Sequence, residues 1–499
     1  MSTIDTQTKA TTDIVDFVTP FISISTDIRV TRSFTIENQR SFSDLSGDYN
    51  PGYVDPKVAR RLMFGQPVVH GIHSFLWSLD CWLSQQVAPQ QLTKVRVVFH
   101  KPIGVGQQVE FKLARQVGDQ IELELWCQGA LATAVRFTSQ TLVELNSVSE
   151  IEFWDDTCTE CLPEDYEGAK GELPIALNNR LLGELLPNVA VKLDPRQVAQ
   201  ILASTRLVGM HYPGLHSLYS ELDFELDVES DVKNEVLNFE VTRFDPRFSM
   251  LQLALSGQAF VGKIKSFVRP EPQQQPTFEE LKTLVSENEF VGQRALIIGG
   301  SRGLGEVTAK LLAAGGAEVV VTYHRGASDA QALVGEIEAG QGTADSAAWN
   351  VLEPQNLAPQ NFGNQWQPTH LYYFATPFIA TSVSGQFRPD LFQKFSTYYI
   401  DGFLATLEAV DSDELTDVIY PSSVFVEQLP PNLGEYSVAK AAGEGLCQFL
   451  NKTRPNTNIH APRLPKMATD QTASFLPSKR DEPAPVMLSM LRDLTTESE

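Results

Sequence analysis

The chain has 499 residues, of which 42% are hydrophobic and 20% are charged, and its formal net charge at pH 7 is −23. This length predicts roughly two to four domains, and the excess of acidic residues argues against general nucleic-acid binding, because phosphates would be repelled. No apolar run reaches the roughly 18 residues that a membrane span needs. The polar start lacks the apolar segment of a secretory signal, so residues 1–25 are predicted to be a disordered tail.

The five cysteines are irregularly spaced, which fits a reducing compartment and predicts a cytoplasmic protein. Cys158 and Cys161 form one Cys-x-x-Cys pair in an acidic stretch. No second pair accompanies them, so we expect an ordinary loop and no metal site. The acidic stretch as a whole, residues 148–178, is predicted to be a connector between two domains.

Residues 26–147 carry the pattern of one long helix and a curved antiparallel sheet. After His70-Gly71, apolar residues share one helical face at Leu76, Leu79, Trp82 and Leu83. Four further runs have the composition and turn signals of strands, and they cover residues 94–99, 108–115, 120–127 and 131–142. This combination predicts a hot-dog fold.

The residues around Asp48 resemble the MaoC-like, (R)-specific enoyl-CoA hydratase family. The stretch Ser46-Gly47-Asp48-Tyr49-Asn50-Pro51 and the later pair His70-Gly71 carry that resemblance. In the family, an aspartate and a histidine together hold one water and add it across an enoyl thioester. Asp48 matches the aspartate, whereas Tyr53 occupies the position of the histidine.

Tyr53 changes what this site is expected to do. A tyrosine keeps its proton at neutral pH and cannot readily replace a histidine base. His70-Gly71 is retained, so the helix N-terminus can still polarise a thioester carbonyl, and Asp48 and His70 are the candidate catalytic residues. Either the site is degenerate, or His70 or His73 substitutes for the missing base. For both histidines, simple packing within the helix is an equally good explanation.

Residues 179–270 repeat the pattern of the first unit. A predicted helix, Val198 to Val208, precedes strand-like runs that cover residues 219–227, 236–243, 249–257 and 258–268. We therefore predict a second, diverged hot-dog unit that packs on the first as a double hot-dog. His211 and His216 either supply a catalytic imidazole across the interface or serve packing and hydrogen bonding, and the second role is favoured.

A linker and a helix are predicted to join this region to the rest of the chain, over residues 271–289. Residues 269–277 are rich in proline and glutamine and have little capacity for helix or sheet. Phe278 to Asn288 then has the pattern of an amphipathic helix. The next domain is predicted to cover residues 290–499.

The stretch from Arg294 to Leu312 predicts a nucleotide-binding turn. Ala295 to Ile298 is typical of a strand buried on both faces, a helical pattern follows, and the turn between them contains Gly299, Gly300, Gly303 and Gly305. Glycines let the backbone approach a pyrophosphate, and a helix N-terminus offers N–H groups and a partial positive charge. A Gly-rich turn alone is weak evidence, because such a turn can also bind nothing.

Three residues further along the chain support the interpretation of the glycine turn as a dinucleotide site. Val418 to Ser423 has the pattern of a strand that ends in hydroxyls, and Tyr436 and Lys440 lie one helical turn apart on one face. A tyrosine with a pKa near ~10 is a poor acid at neutral pH, and a cation one turn away is expected to lower that pKa. Ser423 is placed to hold a carbonyl oxygen beside the phenol.

With these motifs, residues 290–470 resemble the short-chain dehydrogenase/reductase family, whose fold is a doubly wound parallel sheet of Rossmann type. The resemblance implies hydride transfer between a nicotinamide and a carbonyl or alcohol. It makes Ser423 the carbonyl orienter, Tyr436 the proton donor, and Lys440 the residue that tunes the tyrosine and holds the ribose. Three family motifs are altered, with Phe374-Ala375-Thr376 in place of Asn-Ala-Gly, Tyr399 or Ile400 in place of the relay asparagine, and Pro462-Arg463 in place of Pro-Gly.

The second strand of this region, Glu318 to Tyr323, ends without the carboxylate that usually holds the ribose 2′-hydroxyl of NAD. Arg302 and Arg325 are instead expected to face a 2′-phosphate, which arginine binds well in a bidentate manner. We therefore predict NADPH as the cofactor. The resemblance assigns the nucleotide site to Gly299, Ser301, Arg302, Gly303, Leu304, Gly305, Arg325, Asn350, Val351, Ala375, Tyr436 and Lys440.

The predicted fold class is a multidomain chain, in which an α+β double hot-dog precedes an α/β doubly wound domain. The leading hypothesis for its function is NADPH-dependent reduction of a 3-oxoacyl thioester, on CoA or an acyl carrier protein, in fatty-acid or polyketide assembly. Two alternatives stay open: a bifunctional enzyme that also dehydrates or hydrates, and a reductase with a non-catalytic acyl-binding or dimerisation scaffold. Both families commonly form dimers or tetramers, so a homo-oligomer is expected.

Overall fold

The computed structural model describes residues 29–154, 157–227, 234–353, 366–379, 384–474 and 479–496. The predicted disordered tail lies outside these residues. Within the described ranges, no helix has both the length and the apolar character that crossing a membrane requires. The described chain forms two lobes, each built on its own sheet.

The first half of the N-terminal lobe contains a long buried helix and five strands. Its elements are β1 (Arg29–Ser33), α1 (Ile36–Ser46), α2 (Pro51–Val54), α3 (Pro56–Ala59), α4 (Gly71–Leu83), β2 (Gln90–Phe99), β3 (Gln108–Val117), β4 (Gln120–Cys127) and β5 (Ala130–Thr141). Helix α4 is buried around its circumference from Ile72 to Leu79. The strands alternate instead: along β2, Val95 and Val97 are buried and Arg96 is exposed, as expected when one face of a sheet covers a core.

The second half has the same content. Its elements are β6 (Lys170–Pro174), α5 (Asn179–Leu185), α6 (Pro187–Lys192), α7 (Pro195–Arg206), β7 (Ser217–Glu225), β8 (Val236–Asp245), β9 (Met250–Gly257) and β10 (Phe260–Val268). Within the predicted acidic connector, residues Lys170–Pro174 form β6 and pair with β8. This strand was not predicted, since five residues with two charges lack the alternation of a longer strand.

The strand order shows that the N-terminal lobe is an internal repeat. The ten strands follow the order β1-β3-β4-β5-β2-β7-β10-β9-β8-β6, and all named pairs are antiparallel. Reading outward from the central β2–β7 pair, each half has the same succession of strands. The two halves share one hydrophobic core that contains α4 and α7. The predicted double hot-dog is therefore confirmed.

The C-terminal lobe alternates helices and short parallel strands. Its elements are α8 (Phe278–Lys282), β11 (Arg294–Ile298), α9 (Gly303–Ala314), β12 (Glu318–Tyr323), α10 (Ala327–Ala339), β13 (Thr343–Ala348), β14 (His370–Tyr373), α11 (Pro389–Ser396), α12 (Gly402–Ala409), β15 (Asp417–Ile419), β16 (Ser422–Ser423), α13 (Phe425–Gln428), α14 (Gly434–Thr453), β17 (Asn458–His460), β18 (Arg463–Leu464) and α15 (Pro483–Thr496).

The main sheet of this lobe confirms the doubly wound prediction. Its order is β13-β12-β11-β14-β15-β17 with every pair parallel, so the direction of winding reverses between β11 and β14. Separate hydrophobic clusters cover its two faces. In such sheets, ligands bind outside the carboxyl ends of the strands at this switch point. The predicted helix from Phe278 to Asn288 is shorter, because α8 ends at Lys282.

The linker of residues 269–277 has no helix or strand, as predicted, but it is fixed to the C-terminal lobe. The Nε2 of Gln275 donates to the backbone oxygen of Ala468 at 3.2 Å, and the Nζ of Lys310 donates to the backbone oxygen of Pro276 at 3.0 Å. The lobes also touch directly, since a Cβ on Gly65 would lie 2.5 Å from the ring of Phe378. The two lobes are therefore in direct contact as well as joined by the linker.

One carboxylate ties the two hot-dog units together, and its removal gives a test of the fold. Asp80 on α4 accepts hydrogen bonds from the backbone N–H groups of Asn188 and Val189, at 2.7 and 2.9 Å, and so caps α6. We expect Asp80→Ala to lower the free energy of unfolding of the N-terminal lobe by about 1–2 kcal/mol, because the helix loses its cap. Urea unfolding followed by circular dichroism measures this change. Asp119→Ala, in the exposed β3–β4 turn, is the control, and an equal loss in both variants contradicts the capping role.

Candidate functional site

The glycine turn between β11 and α9 has the shape that a pyrophosphate requires. Gly299 has a φ of +75°, and its missing Cβ would lie 3.1 Å from the backbone nitrogen of Ala375. Gly305 is packed against the same turn, since its Cβ would lie 2.6 Å from the oxygen of Gly299. No side chain caps the N-terminus of α9. Its backbone N–H groups are therefore available to an anion.

The structure brings the predicted nucleotide residues to one edge of the sheet. Ser301 and Leu304 lie in and just after the glycine turn, and Asn350 and Val351 follow β13. Ala375 follows β14, on the other side of the switch point. The Asn350 side chain already accepts a hydrogen bond from the N–H of Leu352 at 3.1 Å, so its oxygen stabilises its own turn.

The two arginines predicted for a 2′-phosphate have different surroundings. Arg325 is exposed directly after β12. Arg302 extends towards the N-terminal lobe instead of standing open: its Nη1 donates to the backbone oxygen of Arg60 at 2.7 Å and lies 3.5 Å from Oδ2 of Asp470. The sequence prediction placed Arg302 in the turn correctly but missed these partners.

Ser423, Tyr436 and Lys440 lie together at the same edge of the sheet, on β16 and the first turns of α14. Tyr436 is 9% exposed, Ser423 is 6% exposed and Lys440 is 7% exposed. Burial raises the pKa of the Tyr436 phenol, and a hydrogen bond with Ser423 partly offsets this rise. The phenol is therefore protonated at neutral pH.

The predicted effect of Lys440 on that pKa is not found. The Nζ of Lys440 donates to the backbone oxygen of Pro421 at 2.7 Å and lies over the rings of Tyr399 and Tyr420, at 4.0 and 4.6 Å from their centres. Burial lowers the pKa of Lys440 itself to about 7. The prediction of an acidified Tyr436 was therefore wrong for this structure, because the ammonium is directed at a carbonyl and desolvation dominates the phenol.

Tyr399, at the position predicted for a relay asparagine, is part of the support for Lys440. Its hydroxyl lies 2.6 Å from the hydroxyl of Thr376, directly after β14. Its ring stands edge-on to the ring of Tyr436, with centres 5.8 Å apart. The aromatic cluster around the lysine was missed in the sequence, because its members are distant along the chain.

In the N-terminal lobe, Asp48 is completely buried rather than open to a substrate. Its Oδ2 accepts a hydrogen bond from the hydroxyl of Thr205 at 2.7 Å, and the backbone of Gly209 is so close that an added Cβ would lie 2.0 Å from Oδ1. Burial raises the pKa of Asp48 to about 7. Thr205 and Gly209 belong to the second unit, so their role was visible only once the two units were placed together.

The histidines of the central helix are packed groups. His70 has Nδ1 2.9 Å from Oε1 of Gln39 and Nε2 3.1 Å from the backbone oxygen of Asp48, while the ring of Tyr53 stacks on it at 3.9 Å. Burial lowers the pKa of His70 to about 3. His73 is stacked on Phe42, and burial lowers its pKa as well. These contacts do not support either histidine as a substitute base.

The histidines of the second unit also lack a catalytic arrangement. The Nε2 of His216 lies 3.1 Å from Oε1 of the exposed residue Glu160. His211 follows α7, and its backbone oxygen accepts a hydrogen bond from Cys161. Cys158 likewise donates to the backbone oxygen of Gly209. Both thiols thus donate to backbone oxygens of the segment that follows α7.

A cavity of about 230 Å³ lies beside the N-terminus of α4. Its lining includes Tyr53, Phe64 and Gly71 from the first unit and Tyr219 from the second. No side chain caps the first turn of α4. Asp48 does not line the cavity, so the carboxylate and the cavity are separate features.

Comparison with known proteins agrees with this geometry. Residues 22–143 match the MaoC like domain and residues 293–359 match the short chain dehydrogenase family. The (R)-specific enoyl-CoA hydratase of Aeromonas caviae is 31% identical over 104 residues, which are 21% of this chain and 69% of that enzyme. The chain belongs to the MaoC-like family. Its C-terminal lobe carries a short-chain dehydrogenase domain, so the chain is a fusion of a MaoC-like region and a short-chain dehydrogenase region.

Other relatives match the MaoC-like protein over shorter stretches. Mouse peroxisomal multifunctional enzyme type 2 is 33% identical over 98 residues, 19% of this chain and 13% of that enzyme. The 3-oxoacyl-[acyl-carrier-protein] reductase of Synechocystis sp. is 48% identical over 68 residues, 14% of this chain and 28% of the reductase. A solved short chain dehydrogenase from Burkholderia cenocepacia in complex with NADP has 23% identity and a TM-score of 0.37, over 41% of this chain and 90% of that chain.

The raised pKa of Asp48 predicts how stability depends on pH. The folded protein holds this proton up to about pH 7, whereas an unfolded aspartate releases it near pH ~3.9. The native state therefore binds more protons between these values, and this contribution to stability is lost as pH rises to about 7. An asparagine does not ionise, so the variant Asp48→Asn should not show this loss. We therefore expect the free energy of unfolding of Asp48→Asn, relative to that of wild type, to rise by about 2 kcal/mol between pH 5 and pH 8.

Urea unfolding at the two pH values measures this difference. Asp44→Asn provides the control, since Asp44 is exposed on the neighbouring helix α1. A relative stability of Asp48→Asn that does not change with pH would show that the buried carboxyl is ionised in the folded protein.

Proposed function

We propose that the C-terminal lobe reduces a 3-oxoacyl thioester with NADPH. The observation that carries this proposal is the position of Ser423 and Tyr436 at the carboxyl edge of the parallel sheet, beside the glycine turn. The short-chain dehydrogenase match supports the same type of chemistry. The substrate class and the choice of NADPH are supported by separate observations.

The residues present fit a nicotinamide dinucleotide. Gly303 has a φ of +60°, and its missing Cβ would meet only one atom, at 4.0 Å, which leaves room for a pyrophosphate above the N-terminus of α9. The end of β12 lacks a carboxylate, and Thr322 there uses its hydroxyl to accept a hydrogen bond from the N–H of Gly299. This arrangement supports NADPH over NADH, because the strand end lacks the carboxylate that usually holds the ribose 2′-hydroxyl of NAD.

Bound NADPH would supply the hydride. The Ser423 hydroxyl orients the carbonyl oxygen, and the Tyr436 phenol donates its proton as negative charge develops on that oxygen. The raised pKa of Tyr436 keeps the phenol in the protonated form that this role needs. The resemblance implies that Lys440 holds the ribose, and its Nζ lies over the rings of Tyr399 and Tyr420.

The names of the relatives support a thioester substrate. The Aeromonas caviae enzyme is named for enoyl-CoA and the Synechocystis enzyme for a 3-oxoacyl carrier protein. Reduction of a 3-oxoacyl group and interconversion of 3-hydroxyacyl and enoyl groups are consecutive reactions, so a fusion of these two domains is chemically sensible. We extend the substrate class to this chain on that basis, with CoA and an acyl carrier protein as the two carriers.

The reductase proposal predicts a strong effect of one hydroxyl. With acetoacetyl-CoA as substrate, we expect Tyr436→Phe to lower kcat for NADPH oxidation by at least ~100-fold, because a general acid is lost. Absorbance at the nicotinamide band measures the rate. Tyr372→Phe is the control, since the Tyr372 hydroxyl contacts Gln293 away from the site. Oxidation that proceeds unchanged in Tyr436→Phe rejects the proposal.

For the N-terminal lobe, we propose acyl binding without hydration. Two observations favour this role over a second active site: Asp48 is closed off by Thr205 and Gly209, and it does not line the cavity, whereas Tyr53 does. The cavity itself has an apolar wall and the uncapped N-terminus of α4. These features suit an acyl chain and its carbonyl. The titratable residues that line the cavity are Tyr53, His100, Lys101 and Tyr219, and neither Asp48 nor His70 is among them.

Crotonyl-CoA distinguishes these roles. We expect it to bind in equilibrium dialysis without forming 3-hydroxybutyryl-CoA, which mass analysis would detect. Ser220→Phe, which fills the cavity from the second unit, should weaken binding at least fivefold, because the acyl chain loses its space. Hydration that disappears in Asp48→Asn would instead restore the bifunctional alternative.

A further inference from the structure

The two lobes meet beside the loop that follows β12. Arg60 and Arg61, directly after α3 in the N-terminal lobe, both form ion pairs with Asp329 in the first turn of α10. The guanidinium of Arg60 lies against the backbone of Gly326, where an added Cβ would come within 2.5 Å of Nη1. Gly326 directly follows Arg325, so an arginine of one lobe touches the nucleotide loop of the other.

Arg302 reaches the same place from the glycine turn. Its Nη1 donates to the backbone oxygen of Arg60, which joins the turn to the N-terminal lobe by a direct hydrogen bond. The remaining charged neighbour is Asp470, 3.5 Å from the same Nη1. Three guanidinium groups, from Arg60, Arg61 and Arg302, therefore face two carboxylates, from Asp329 and Asp470.

The charges of this cluster do not balance. Three cations and two anions leave one positive charge in excess. The exposed side chain of Arg325, directly before Gly326, adds a further cation. Burial and the neighbouring charges of Arg302 and Arg61 lower the pKa of Arg60 to about 10. Like charges held this close repel one another, and an added anion would relieve that repulsion.

We propose that Arg60 and Arg61 of the N-terminal lobe complete the subsite for the 2′-phosphate of NADPH. This inference rests on the proposed preference for NADPH. The guanidinium fork suits a phosphate better than a single carboxylate does, because it can donate two parallel hydrogen bonds to phosphate oxygens. Asp329 holds the two arginines in the absence of the phosphate and competes with it when NADPH binds. The MaoC-like lobe thereby sets the cofactor specificity of the reductase lobe.

Binding of NADPH and NADH to the full-length chain tests this inference without any substrate. We expect Arg60→Ala to raise the Kd for NADPH at least tenfold and to change the Kd for NADH less than twofold, because NADH lacks the 2′-phosphate. Arg61→Ala should act in the same direction. Fluorescence titration of the bound nicotinamide measures both constants. Arg40→Ala, which removes an exposed arginine from α1 of the same lobe, should change neither.

Asp329→Asn separates phosphate binding from simple docking of the lobes. If the arginines serve the phosphate, this variant keeps or lowers the Kd for NADPH, because a competing anion is removed. If the cluster serves only to hold the lobes together, Asp329→Asn and Arg60→Ala weaken the binding of both nucleotides alike, and the inference is overturned. An Arg60→Ala variant that binds NADPH as wild type does also overturns it.

The same titration distinguishes the proposed preference for NADPH from the proposed role of Arg60 and Arg61. A wild-type chain that binds NADPH and NADH equally would reject the NADPH preference and this inference together. A wild type that prefers NADPH, with Arg60→Ala unchanged, would reject only the role of the N-terminal lobe.

Discussion

Burial is the main influence on the pKa of four ionisable groups in the two candidate sites, and in each group it favours the neutral form. Asp48 and Tyr436 are desolvated by their surroundings, and the pKa of each is raised. Lys440 and His70 are buried as well, and the pKa of each is lowered. The same physical constraint has opposite consequences in the two lobes, because one reaction needs an acid and the other needs a base.

In the C-terminal lobe the neutral form is the useful one. A carbonyl under reduction takes up a proton on oxygen, so a protonated phenol beside a hydroxyl is already in the correct state. In the N-terminal lobe, hydration needs a group that removes a proton from water. Asp48 accepts a hydrogen bond from Thr205 and does not line the cavity, and Tyr53 takes the place of the family's histidine, so the two residues that hold the water in the family have no counterpart at the cavity among the described residues. The N-terminal lobe has a MaoC-like fold, and the polar residues Asp48 and His70 are buried in it.

The sequence predicted the architecture well and the electrostatics poorly. Strand runs, the glycine turn and the Tyr436–Lys440 spacing all depend on local patterns, and the structure contains each of them. The strand β6 has no such pattern, and it exists because β8 offers it an edge. The pKa of Tyr436 was predicted with the wrong sign, because spacing along a helix gives the distance between two residues but not the direction of a long side chain. The Nζ of Lys440 is held by the oxygen of Pro421, which no local pattern reveals.

The two lobes are held together by noncovalent contacts as well as by the covalent linker. Tyr53 lines the acyl-sized cavity, and Arg60, seven residues later, contacts the loop after β12. Tyr53 lies in α2 and Arg60 directly follows α3, so one short segment carries both a wall of the cavity and a guanidinium group that contacts the nucleotide loop. Next to it, Phe64 lines the cavity while Gly65 packs against Phe378, shortly after β14. The cavity wall and the contact with the nucleotide edge therefore belong to one segment. If filling the cavity changes the affinity for the nucleotide, thermodynamic linkage requires the nucleotide to change the affinity for the acyl group by the same factor.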